Sequence, residues 1–168
     1  MLKAAREYRW LRSLGVGERD VLRALRLASR STLVRANDEA VVAVPSQRLG
    51  RLPRERVVSH SDLLALLAGA GYRVVATRVG RLPEGQQVYM VHVKRGGAVC
   101  SCPASRLAGD PLCVHRLAAA IVLYQRGRLD LLEWLPAAVG EKKKWRRTRR
   151  IKMSRSRRRL GASRPLEF

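Results

Sequence analysis

The chain has 168 residues, 46% of them hydrophobic and 29% charged, which is enough for one domain with a core of its own and no need of disulfide staples. Its 35 Lys and Arg stand against 13 Asp and Glu, a formal net charge of +22. Such a surface draws polyanions to it. Scarce carboxylates, no phosphate loop and no nucleophile motif argue against an enzyme. Arginines number 29 and lysines only six, and arginine grips phosphate as a fork and stacks on bases.

Lys3, Arg6, Glu7 and Arg9 interrupt any apolar start, so no leader is expected. No apolar run approaches the roughly 18 residues of a membrane helix. Three cysteines, an odd number, argue against a disulfide framework. The expected setting is a reducing cytoplasm, with no membrane partner.

Residues 1–30 read as two helices. Leu2, Ala5, Tyr8 and Leu11 keep helical spacing, Gly15-Val16-Gly17 interrupts, and Val21, Leu22, Leu25 and Ala28 resume it. This pair either packs or, as a helix–turn–helix, reads DNA. Residues 31–45 read as a hairpin, with β-branched runs at 32–34 and 41–44 around Asn37-Asp38-Glu39 and a stop at Pro45. Residues 46–56 are a loop broken by Gly50 and Pro53. Its Arg48, Arg51, Arg54 and Arg56 form either a phosphate-contacting loop or a solvated connector. Ser59 and Asp62 cap a further helix that ends at Gly69 and Gly71.

Residues 72–79 and 87–94 are strand candidates. In the second, Val91 and Val93 point one way, Met90 and His92 the other. His92 reads as a solvated strand residue, and His60 has no assigned role. Arg95-Gly96-Gly97 turns into a short strand over 98–100. After Pro111 a helix runs to about Arg126, and a shorter one occupies 129–134. Pro136 and Gly140 close the folded part.

The tail carries 13 basic and 2 acidic residues over 141–168, a net +11, half the charge of the chain. Self-repulsion and few apolar residues predict disorder unless nucleic acid is bound. Its candidate contacts are Lys142, Lys143, Lys144, Trp145, Arg146, Arg147, Arg149, Arg150, Lys152, Arg155, Arg157, Arg158 and Arg159. Trp145 either stacks on a base or packs against the body. The fold class that follows is α+β, with small antiparallel strands and helices. Its regions are 1–71 (helices and hairpin), 72–140 (metal module with following helices) and 141–168 (basic tail).

All three cysteines fall in Cys100-Ser101-Cys102-Pro103, ten residues 103–112, and Cys113-Val114-His115. Three thiolates and an imidazole are a complete tetrahedral zinc set, and a closed set leaves no place for an activated water. One structural zinc ion, held by Cys100, Cys102, Cys113 and His115, would pin a hairpin to a helix. Redox, catalytic and inert buried cysteines are the rival readings.

The segment CSCPASRLAGDPLCVH resembles the SWIM zinc finger, whose pattern is Cys-x-Cys, a variable spacer, then Cys-x-His. The preceding strand, the Gly-Gly turn, Pro103 and the small-residue helix HRLAAAIVLY match as well, so the likeness covers about residues 86–125. It implies a ββα zinc module with no catalytic activity of its own, of a kind found beside ATPase, transposase and recombination-related domains and in small archaeal proteins. Such modules are thought to bind DNA or other proteins. Two functions follow. One is a nucleic-acid-binding protein, whose target is either DNA, as the resemblance suggests, or RNA. Ribosomal RNA or another ribonucleoprotein fits the basic composition. The other is an adaptor that docks through the zinc module on a protein partner such as a recombinase-like ATPase.

Overall fold

A computed structural model describes residues 3–45, 72–75 and 86–160. The basic loop with Arg48, Arg51, Arg54 and Arg56, the capped helix expected after Ser59, residues 76–85 and the last eight residues lie outside this set.

Helices α1 (Lys3–Ser13) and α2 (Glu18–Ala28) bear out the opening pair. Gly15 has φ +85°. Its N–H bonds to Arg12 O at 2.9 Å, and Val16 N–H reaches back to Leu11 O at 3.1 Å. This is a Schellman stop, with Gly at the left-handed position and the Leu11–Val16 apolar contact that accompanies it. The buried face of α2 is Val21, Ala24, Leu27 and Ala28, while Leu22, expected inside, is exposed. On α1, Ala5 is exposed and Leu11 is fully buried.

Five strands form one sheet: β1 (Thr32–Ala36), β2 (Ala40–Pro45), β3 (Tyr72–Val75), β4 (Gln86–Lys94) and β5 (Gly97–Cys100). The hairpin β1–β2 turns where Asn37-Asp38-Glu39 predicted, with Asn37 N–H on Glu39 O. Long β4 organises the rest. One edge pairs antiparallel with β2. The other edge carries β3, parallel, along its first half and β5, antiparallel, along its second. The sheet is therefore mixed, which corrects the all-antiparallel expectation. A parallel pair needs a long crossover, and spacing between apolar runs does not reveal which runs pair.

Register assigns the faces. Val42 stands opposite Val91, and Val91 opposite Cys100. Ala40, Val42, Val44, Val91, Val93 and Cys100 belong to the helix-covered core, and Val41, Ala43, Val88 and Met90 are buried on the reverse face. The opposed orientation of Val91 and Met90 holds, and His92 is exposed.

Three helices follow: α3 (Pro103–Arg106), α4 (Val114–Gln125) and α5 (Leu135–Leu160), with a 3-10 turn at Leu129–Leu131 where a helix over 129–134 was expected. Helix α4 lies between α2 and the sheet, with Leu117 through Leu123 buried. Trp10 of α1 stacks on Tyr124 at 4.3 Å. A second Schellman stop, with Gly127 at φ +72°, ends α4. Arg128 then binds Asp130 and the carbonyl oxygen of Ala36.

The largest departure from expectation is α5. It runs straight through Pro136, Gly140 and the proposed start of a disordered tail at 141. Proline in a first turn forfeits no hydrogen bond, and one interior glycine costs only about 1 kcal/mol. Neither residue stops a helix that begins well packed, and Leu135, Ala138 and Val139 are buried.

Candidate metal centre and basic surfaces

Each of the four donors is placed by a local device, a strand end, two helix N-caps or a first helical turn. Cys100 ends β5, directly across from Val91 and so on the helix-covered face. Ser101 holds the next step: its N–H bonds to Met90 O at 3.1 Å, and its hydroxyl accepts from Met90 N–H at 3.0 Å. Cys102 is the N-cap of α3, with Pro103 at the first helical position and the Ser105 N–H on its Sγ at 3.4 Å. Cys113 is the N-cap of α4, and His115 follows in the first turn.

The ligand atoms of Cys100, Cys102, Cys113 and His115 all lie within 4.8 Å of one another. A tetrahedral ion with metal–sulfur bonds of about 2.3 Å sets sulfurs about 3.8 Å apart, so a small contraction closes the cluster around one ion. The three cysteines are buried. The His115 ring packs against Tyr89 at 4.7 Å, and its Nδ1 is buried without a hydrogen-bond partner. An unpaired buried nitrogen is costly, and coordination would satisfy it. The donor set therefore fits a metal ion.

The thiols perturb one another strongly. Hydrogen bonds from Cys100 and then Cys113 hold the Cys102 thiol far below the ordinary range. The same bonding to Cys102, then to Cys113, with burial, drives Cys100 far above it. At Cys113 a lowering hydrogen bond from Cys100 is outweighed by Cys102 and burial, and the thiol is pushed up to about 12. A divalent cation bound among them would stabilise all three as thiolates.

The ten-residue spacer is tied down at both ends. Arg116 of α4 donates to Ser105 Oγ at 2.7 Å and also to the Pro111 carbonyl. Asp110 accepts the Leu112 N–H at 3.0 Å through one oxygen, an Asx turn that leads into Cys113. Its other oxygen pairs with Lys142 of α5. Trp145 Nε1–H donates to Ala108 O at 3.2 Å. Arg146 pairs with Asp20 of α2, and Lys143 lies beside Gly15. Tyr89, Ser101, Asp110 and Arg116 were not singled out from sequence. The Asp-x-Leu spacing before Cys113 is an Asx-turn signal that could have marked Asp110.

The proposed tail contacts thus divide. Lys142, Trp145 and Arg146 face the body, and of the two readings of Trp145 the structure shows packing. Its ring also carries Lys142 at 4.7 Å and Arg149 at 5.2 Å, both within cation–π range. Lys143, Lys144, Arg147, Arg149 and Arg150 are exposed on α5. Lys152, Arg155, Arg157, Arg158 and Arg159 belong to the same helix. Among the described residues no helix is long and apolar enough to cross a membrane. Comparison of the chain with family models, curated proteins and solved structures finds no match.

Proposed function

We propose that this chain is a non-enzymatic nucleic-acid-binding protein built around one structural zinc ion in a SWIM-type arrangement. The convergence of Cys100, Cys102, Cys113 and His115 carries the metal half of this reading. Three sulfurs and a nitrogen suit zinc, and four protein donors leave no coordination place for a substrate. The zinc then has one task, joining β5 and the spacer to α4.

The nucleic-acid half rests on charge. A net +22 on 168 residues is the footprint of a phosphate-binding surface, and the outward side of α5 presents Lys144, Arg147, Arg149 and Arg150 to solvent. DNA and RNA are both admitted by this chemistry, ribosomal RNA included.

Two measurements test the two halves separately. Metal analysis of the purified protein is expected to give one zinc per chain, and Cys113→Ser is expected to lose it together with cooperative unfolding. A Cys113→Ser protein with full zinc and full stability overturns the four-donor site. Binding to DNA and RNA oligonucleotides is expected to weaken steeply with salt. Deleting 147–168, which spares Lys142, Trp145 and Arg146, is expected to flatten that slope. An unchanged slope removes α5 from the interface.

A further inference from the structure

Packing does not use up the Trp145 ring. Its Nε1–H edge is tied to Ala108 O at 3.2 Å, yet the side chain is only half-buried. With Ala108, Thr148 and Arg149 it lines an open pocket of about 310 Å³ between the spacer and α5. The Thr148 hydroxyl is bonded to Lys144 O of its own helix at 3.2 Å. The pocket therefore offers an incoming group an aromatic ring, two small side chains and one guanidinium. The other two tryptophans are absorbed by the fold. Trp10 stacks on Tyr124, and Trp134 is 7% exposed with its Nε1–H on Leu131 O.

Three features suit this pocket to a nucleobase. Lys142 and Arg149 hold their charges 4.7 and 5.2 Å from the ring centroid. Lys142 is anchored on Asp110, but Arg149 is exposed. A flat group that enters and displaces the Arg149 guanidinium is then covered by it, with the indole on its other side. A carboxylate side chain of a protein partner would meet the guanidinium and leave the ring unused, whereas a base uses both. The pocket is also held from both sides before a ligand arrives. Arg116 ties the spacer through Ser105 and the Pro111 carbonyl, and Lys142 and Arg146 tie α5 to Asp110 and Asp20. Such preorganisation spares a ligand the cost of ordering its site. Finally, Lys144, Arg147 and Arg150 are exposed on the same helix, so a strand whose base enters the pocket brings its phosphates to cations.

We infer that the Trp145 pocket takes one unpaired nucleobase, which makes single-stranded nucleic acid, DNA or RNA, the ligand class of this chain. The inference rests on the nucleic-acid reading above and narrows it. Every base has a π face, so stacking of this kind tolerates any sequence. In a duplex the bases are paired and stacked on one another, and a ring on a helix surface does not reach their faces.

The test uses the full chain loaded with zinc and four probes, titrated across a salt series. They are 12-mers of deoxythymidylate and of uridylate, an abasic 12-mer with the same phosphates and no bases, and a 12-base-pair duplex. The wild-type protein is expected to bind at least one base-bearing single strand about 5- to 150-fold more tightly than the abasic strand, the range of one stacked base. Tryptophan emission is expected to fall with that strand and to hold with the abasic strand and the duplex. Trp145→Ala is expected to lose both the preference and the quenching, with the salt slope unchanged, because stacking neutralises no phosphate. Trp145→Phe gives up the bond to Ala108 O but keeps an aromatic face, and is expected to keep the preference. It serves if the Ala variant misfolds, and the wild-type comparison needs no variant at all. Salt-dependent binding with equal affinity for base-bearing and abasic strands and unchanged emission overturns the base pocket and leaves the nucleic-acid reading standing. Emission that responds instead to a Glu-rich peptide carrying one Phe makes the pocket a protein-docking site and overturns the inference as well. A wild-type protein that binds none of the four probes overturns both readings.

Discussion

The Asp110 carboxylate is used twice, once to shape the turn into Cys113 and once to hold Lys142 of α5. Both side chains are largely shielded, at 9% exposure for Asp110 and 13% for Lys142. Asp110→Ala removes the ion pair and leaves the Leu112 N–H without its acceptor. The expected cost is about 1–3 kcal/mol, read as a fall in melting temperature of about 3–10 °C for a domain of this size. Lys142→Met should cost less if the Asx turn is the larger contribution, and a thermal scan of the two variants ranks them. Gly15 supplies a different kind of constraint. Its φ of +85° is a left-handed conformation, and a Cβ there would meet Lys143 Nζ at 2.6 Å. The lysine end can swing away, so the backbone decides. Gly15→Ala is expected to destabilise by about 1–2 kcal/mol, measured by denaturant unfolding with an unchanged m-value.

Helix α5 changes character along its length. Leu135, Ala138 and Val139 begin a stripe that continues, at helical steps, through Lys142, Trp145 and Arg146. An apolar seam thus becomes a seam of charged and aromatic residues that still contacts the body. Lys142, Trp145 and Arg146 tie the helix to the body, and from Arg147 onward it is a run of mostly basic residues. Like-charge neighbours weaken an isolated helix, and short helices without packing are marginal in water. Amide hydrogen exchange is therefore expected to be slow over 138–146 and fast beyond about residue 150. Adding a nucleic acid should slow the outer segment and leave the inner one nearly unchanged. Uniform protection along α5 in the free protein would contradict this division. Sequence reasoning placed the boundary at Glu141 because it weighed charge, scarce apolar residues and the breakers Pro136 and Gly140. The docked turn of Lys142, Trp145 and Arg146 moves it outward.

At the scale of the molecule, the four-donor cluster and the basic helix are mechanically joined. The spacer between the two ligand pairs provides Ala108 O and Asp110, the docking points of Trp145 and Lys142. A structural zinc ion is worth roughly 10–16 kcal/mol of apparent binding energy, against total stabilities of about 5–15 kcal/mol. Stripping it with a strong chelator is expected to loosen the spacer and release Trp145, which shifts tryptophan emission to the red and lowers the melting temperature steeply. Emission and melting that ignore chelation would uncouple α5 from the centre. Acidification should act in the same direction, because protons compete with the metal for three thiolates and an imidazole.

The sequence by itself determined the features that are local. The four donors, the Gly15 and Gly127 stops, the 37–39 turn and the alternation of Val91 and Met90 all depend on residues close together in the chain, where backbone sterics and side-chain chemistry act without distant help. Only the tertiary structure decided the rest. Strand pairing made β3 parallel to β4, since register and direction depend on which edges meet. Packing buried Ala24 and Leu27 in place of Leu22, because the core selects one of two adjacent faces of α2. Long-range ion pairs, Lys142 to Asp110 and Arg146 to Asp20, turned the first part of a supposed tail into a strut. A charge count shows that such residues repel one another, but it cannot show that two carboxylates 32 and 126 positions away are held where they attract.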